Sequence, residues 1–180
     1  MKLTFAVLPL LASAGTNSIT CGSPDSGPVL NGLDLVDTLK NVAFGNAPVF
    51  ANSTDAVTYT DDDGFEFKFN SKENMQAYLD TPTLYQIGAG GYCGYAISGN
   101  DPACGSDGDA CNGPACLTDD DAVEILENDG KMYFFLGNGA LNKFMKADGA
   151  PEDAAANLEE ARLKSGYANC YNTDTYRCKN

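Results

Sequence analysis

Seven cysteines are spread over this chain, and six of them sit in segments that have little else to hold them in place. Cys104, Cys111 and Cys116 fall within DPACGSDGDACNGPAC, which is almost devoid of apolar side chains. Such a loop cannot order itself by burial, so covalent bridges are the natural constraint. Cys21 lies in a polar leader, and Cys170 and Cys178 bracket YNTDTYR near the C-terminus. Cys93 differs, because it stands in the apolar stretch GGYCGYAIS. The expectation is three disulfides among Cys21, Cys104, Cys111, Cys116, Cys170 and Cys178, with Cys93 the odd thiol. A local bridge from Cys170 to Cys178 would pin the tail, and Cys21 would then pair into the central loop.

Disulfides require an oxidising compartment, and the N-terminus fits one. Lys2 precedes an apolar run through Leu11, followed by Ala12-Ser13-Ala14, the charged, apolar and small-residue order of a cleaved leader. The run is far shorter than the roughly 20 residues that span a bilayer. Residues 1–14 are therefore read as a signal peptide, residues 15–29 as a polar leader, and the product as secreted or lumenal. About 165 residues remain, enough for one domain. Asn52-Ser53-Thr54 is a glycosylation sequon in a polar stretch.

The formal charge is −14, and −15 once Lys2 leaves with the leader. That surface repels nucleic-acid phosphates and anionic membranes, leaving cations or an extracellular ligand as partners. Histidine is absent, which excludes Ser-His-Asp and Cys-His catalysis and every histidine-containing metal site within the chain. A zinc site on the loop thiols is disfavoured for the same reason.

Periodicity predicts two hairpins and several helices. In AVTYTDDDGFEFKFN, Val57 and Tyr59 alternate on one arm, Phe65, Phe67 and Phe69 on the other, and Asp63-Gly64 is the turn. The run Asp61-Asp62-Asp63 reads as a solvated turn. Ser71 caps a helix carrying Met75, Tyr78 and Leu79 on one face, closed by Pro82. Upstream, NGLDLVDTLKNVAFG suits either a short helix or a strand. The glycine-rich GAGGYCGYAIS reads as a closely packed strand, not a nucleotide-binding loop. AVEILENDGKMYFFLG is the second hairpin, and two helices follow: one with Leu141, Phe144 and Met145, one opened by Pro151 and ended by Gly166. The fold class is α+β: a small single domain of antiparallel hairpins packed with short helices and stapled by disulfides.

The ordered set Gly32-Leu33-Asp34, FKFNSKEN, Thr81-Pro82-Thr83-Leu84-Tyr85, Gly90-Gly91-Tyr92-Cys93-Gly94-Tyr95-Ala96 and Asp129-Gly130-Lys131-Met132-Tyr133 resembles the stand-alone YHS domain proteins. The match spans roughly residues 30–163, within a YHS-like domain placed at 30–165. It is interrupted by a cysteine-rich acidic insertion at 99–121 and followed by a cysteine-containing tail at 166–180. The resemblance implies a small α+β domain, often exported or membrane-associated, without a settled activity. Relatives with a metal connection carry Phe-Cys-Ser-x-x-Cys where this chain has Phe69-Asn70-Ser71-Lys72-Glu73-Asn74, so both thiols are replaced. A copper ion wants soft ligands, and only Cys93 remains, with Met75 or Met132 as partners. In the insertion, Asp107, Asp109, Asp119, Asp120 and Asp121, with Asp101, offer oxygen to calcium, although not at EF-hand spacing. The sequence requires no cofactor.

The functional expectation is a secreted, non-enzymatic protein binding a metal ion or small ligand, with Cys93, Tyr92 and Tyr95 as binding candidates. An acidic matrix protein and a Cys93-dependent thiol enzyme are the alternatives. The enzyme would need Lys or Arg to activate the thiol.

Overall fold

The computed structural model describes residues 20–51, 54–99, 123–125 and 129–173. Cys104, Cys111, Cys116, Cys178, Asn52 and the insertion aspartates lie outside the described residues.

The alternating aromatics produce the first hairpin. Strand β1 (Val57–Thr60) pairs antiparallel with β2 (Glu66–Phe69), with Val57 opposite Phe69 and Tyr59 opposite Phe67. Phe65, Phe67 and Phe69 are 0, 3 and 0% exposed, each burial stabilising by about 2 kcal/mol. The acidic turn is more than a solvated one. Asp61 Oδ1 accepts from the backbone N–H groups of Asp63 (3.1 Å) and Phe65 (2.9 Å), and Gly64 takes φ 90°. Asp63 Oδ2 accepts from the N–H groups of Ala168 (2.7 Å) and Asn169 (3.1 Å), tying the turn to the C-terminal segment.

Of the two options upstream, the helix wins: α1 spans Leu35–Val42, capped by the Asp34 side chain, with Leu35 and Val36 buried. Helix α2 (Lys72–Asp80) starts at Ser71, whose Oγ accepts from Asn74 N–H at 3.1 Å. It lays Met75 and Tyr78 against the hairpin core, while Leu79 points largely outward, 39% exposed. Pro82 opens a single 3-10 turn, Pro82–Tyr85.

The expected strand at GAGGYCGYAIS is a tight turn, Gly88–Gly91, followed by the short helix α3 (Gly94–Ile97). Ala89 (φ 49°) and Gly90 (φ 62°) are left-handed, which breaks an extended chain. A Cβ on Gly90 would lie 2.4 Å from the Cys170 carbonyl oxygen, so glycine is required there. Strand character is confined to isolated bridges, among them Cys93 with Phe134 and, just before the segment, Ile87 with Met132.

The second hairpin pairs β3 (Val123–Ile125) with β4 (Met132–Phe134), with Ile125 opposite Met132. Helix α4 (Asn138–Phe144) buries Phe144, and Met145 lies past its end, exposed. Helix α5 (Ala150–Ser165) has Pro151 in its first turn and ends at left-handed Gly166. Its Lys164 pairs with Glu160 at 2.6 Å. Among the described residues no helix is long and apolar enough to cross a membrane. The architecture is α+β.

One succession of elements occurs twice: left-handed turn, helix, hairpin, helix. Turn Val29–Gly32 has Leu30 at φ 53°, Asn31 at 55° and Gly32 at 81°. In Gly88–Gly91, Ala89, Gly90 and Gly91 take 49°, 62° and 82°. In both halves the second strand of the hairpin lies beside the turn and the two helices touch. Strand β4 stands between the two cores: Met132 and Phe134 join the first, Tyr133 and the following Phe135 the second. A strand covered on both faces needs a continuous apolar run rather than an alternating one, which accounts for MYFF.

Cys21 and Cys170 form a disulfide across the two ends, with S–S 2.01 Å and Cα atoms 5.1 Å apart. This corrects the expected Cys170–Cys178 bridge and the pairing of Cys21 into the central loop. Cys170 is buried where α5 hands over to the returning chain, and its partner is Cys21 of the leader.

Candidate ligand-binding groove

The three residues singled out around Cys93 are all interior. Cys93, at the start of α3, is a buried thiol, 4% exposed, in the second core. Tyr92 is buried as well. Its hydroxyl accepts from Gly22 N–H at 2.8 Å and faces the carbonyls of Thr20 (3.0 Å) and Tyr171 (3.2 Å), clasping the chain ends. Tyr95 is buried beneath Lys143, whose Nζ lies 5.5 Å from the ring centroid. None of the three lines the large cavity described below. Among the described residues no group of three or more Cys, Asp or Glu side chains is placed to hold a metal ion.

Sequence reasoning missed a polar cluster under the first hairpin. Asp34 is 0% exposed and accepts four hydrogen bonds. Oδ1 takes the N–H groups of Val36 (2.9 Å) and Asp37 (3.1 Å). Oδ2 takes Asn70 N–H (2.7 Å) and Asn74 Nδ2 (2.8 Å). Asn70 Nδ2 also donates to Asp37 Oδ2, and Lys40 Nζ to Asp37 and Asn74, each at 3.3 Å. The two asparagines are thus committed to a carboxylate that unites α1, β2 and α2. Its only legible signal is Asp34 ahead of a helix-compatible run, an N-cap pattern.

The cavity that stands out is a groove of about 730 Å³ between the first hairpin, the Pro82–Tyr85 turn, α5 and the returning C-terminal segment. Four half-buried tyrosines line it: Tyr59 from β1, Tyr78 from α2, Tyr85, and Tyr171. Their rings follow one another, with centroids 6.1 Å apart for Tyr59–Tyr78 and 6.0 Å for Tyr78–Tyr85, inclined at 52° and 38°. Phe67 backs them, 5.5 Å from Tyr78 and 5.3 Å from Tyr171. Tyr59 lies directly opposite Phe67 on the same face of the hairpin, phenylalanine where the face is fully covered and tyrosine where one edge remains wet.

The groove is acidic at the hairpin end, where Asp61, Asp62 and Asp63 border it. Burial pushes the Asp61 carboxyl above the ordinary range. Backbone donors from Phe65 and Asp63 oppose this, and the Asp63 and Asp62 charges add to it. Burial likewise pushes the Tyr78 hydroxyl up to about 12, helped by Tyr59 and Asp61. Tyr171 is raised in the same way, by burial first and then by Tyr78, Asp61, Asp63 and Tyr59. These hydroxyls therefore stay protonated and available as donors. Tyr133, deeper in the wall, gives its hydrogen to Asp129 at 2.8 Å. The wall holds no histidine, and its one sulfur, Cys170, is in the disulfide. Such a surface offers aromatic rings, hydroxyl donors and carboxylates to a ligand.

Compared with protein-family models, curated proteins and solved structures, the chain matches none.

Proposed function

We propose that this chain is an exported, non-enzymatic binding protein built on a YHS-like domain, and that it holds a small organic ligand in the tyrosine groove. The groove itself carries the reading: about 730 Å³ lined by four half-buried tyrosines falls within the range of small-molecule sites. The order of turn, helix, hairpin and helix is compatible with the family resemblance. The export reading rests on the leader and gains support from Cys21–Cys170, since such bridges persist outside the reducing cytosol. A small ligand is favoured over a soft metal because Asn70 and Asn74 stand where thiols would be needed and are bonded to Asp34. It is favoured over thiol catalysis because Cys93 is interior and away from the groove.

The test is a ligand-observed NMR screen of small-molecule mixtures against the secreted protein and a Tyr59→Ala/Tyr85→Ala variant. At least one compound should bind the first and lose most of its signal with the second. A screen without any groove-dependent binder would defeat the proposal.

A further inference from the structure

We propose that the groove selects an organic cation, an ammonium group carrying short aliphatic substituents, seated in the corner between Tyr59, Tyr78 and the Asp61-Asp62-Asp63 turn. This rests on the groove reading above and specifies the chemistry of its ligand.

The first support is the inclined ring series. Tyr59 and Tyr78 meet at 52° with centroids 6.1 Å apart, and Tyr78 lies over Phe67 at 5.5 Å, which holds it in place. Both rings are half-buried, line the groove and are set at an angle to one another. Such a surface attracts alkylated ammonium groups, which are only weakly hydrated.

Charge supplies the second support. Six charged side chains border the groove: Asp61, Asp62, Asp63 and Glu159 against Lys131 and Arg162. Both cations already have carboxylate partners. Arg162 grips Glu159 through Nε (2.6 Å) and Nη2 (2.7 Å), and its Nη1 donates to the Tyr167 carbonyl. Lys131 lies 3.7 Å from Asp129. With those pairs cancelled, the negative charge that remains is on the turn. It is also fixed in position, because Asp61 accepts two backbone N–H groups of its own hairpin and Asp63 accepts those of Ala168 and Asn169. Asp62 is the exposed member of the three. An anion would meet this turn with repulsion, and a neutral sugar would draw nothing from its charge.

The chain has nine tyrosines and no tryptophan, so its emission is tyrosine emission, to which the groove rings contribute alongside the others, and the Tyr59 variant identifies the groove's share. Full-length protein is titrated with tetramethylammonium, with choline, and with the neutral isostere in which carbon replaces choline's nitrogen. Emission and calorimetry are read together. Choline should bind at least tenfold more tightly than the isostere. Asp62→Asn, at an exposed position that leaves the fold intact, should weaken choline about threefold and leave the isostere unchanged. Tyr59→Leu should weaken all three ligands. Equal binding of choline and its isostere, or an Asp62→Asn variant indistinguishable from the parent, would overturn the cation assignment while leaving a neutral groove ligand standing. Absence of binding by all three probes would also overturn it, and the NMR screen would then decide the groove reading by itself.

Discussion

Replacing Asp34 by alanine removes one carboxylate and leaves four donors behind. Two of them, the N–H groups of Val36 and Asp37, belong to the first turn of α1, and loss of such a cap costs about 1 kcal/mol. The other two, Asn70 N–H and Asn74 Nδ2, come from residues 36 and 40 positions away, so their loss loosens α1 from β2 and α2. Asn74 is only 8% exposed, and a buried donor left without an acceptor costs about 1–3 kcal/mol. The sum is on the order of 3–5 kcal/mol, a large share of the roughly 5–15 kcal/mol that holds a domain together. For a chain of this size that corresponds to a fall in melting temperature of about 10 °C. Asp34→Asn should suffer nearly as much, because its amide group turns a donor toward Asn70 and Asn74. The assay is thermal and urea unfolding followed by circular dichroism, with the Asp34→Ala/Asn74→Ala double variant closing a cycle. A coupling of about 1–2 kcal/mol is expected. If Asp34→Ala melts within about 2 °C of the parent, or the two substitutions are additive, the carboxylate does not join these elements and the reasoning fails.

The Cys21–Cys170 bridge links residues 149 apart. Chain entropy for so long a loop assigns it about 5 kcal/mol, so Cys21→Ser/Cys170→Ser should melt more than about 10 °C lower, and a melting point unchanged from the parent would contradict the pairing. Two acids should act oppositely on acid stability. The Asp37 carboxyl sits below its ordinary range. Burial pushes it up, but hydrogen bonds from Asn74, Asn70 and Lys40, with the Lys40 charge, outweigh that. Its contribution is present above the unfolded value of about 4 and is lost as pH falls through the depressed folded value. Asp37→Asn should therefore flatten the acid limb of a urea-midpoint profile. Asp61 is raised, so its ionisation opposes folding as pH climbs through the raised value. Asp61→Asn keeps an oxygen for the turn and should be the more stable form at neutral pH, with the advantage gone near pH 3.

Features decided by near neighbours were legible in the sequence. Phe65, Phe67 and Phe69 alternate because one side of a strand is wet. Ser71 caps whatever helix follows it, and Gly166 stops α5 by its own conformation. GAGGYCGYAIS misled because apolar content and glycine suit a buried strand as well as a buried turn. The choice falls to the Cys170 carbonyl pressed against Gly90, some 80 positions away. Cys170 itself was misassigned for a related reason: Cys178 is near along the chain, but Cys21 is near in space. The groove could not be read at all. Tyr59, Tyr78, Tyr85 and Tyr171 follow no common spacing, and only folding gathers them.

Asn172 connects the two left-handed turns. Its carbonyl accepts from Leu30 N–H at 2.9 Å, its N–H donates to Gly90 oxygen at 2.8 Å, and its side chain reaches Gly91 oxygen at 3.2 Å. In vectorial synthesis this residue emerges after everything it joins. Both halves can acquire local structure earlier, but the backbone polar groups at the seam stay wet until residue 172 arrives to close it. Such a chain cannot complete the hydrogen bonds of this seam until residue 172 has been synthesised.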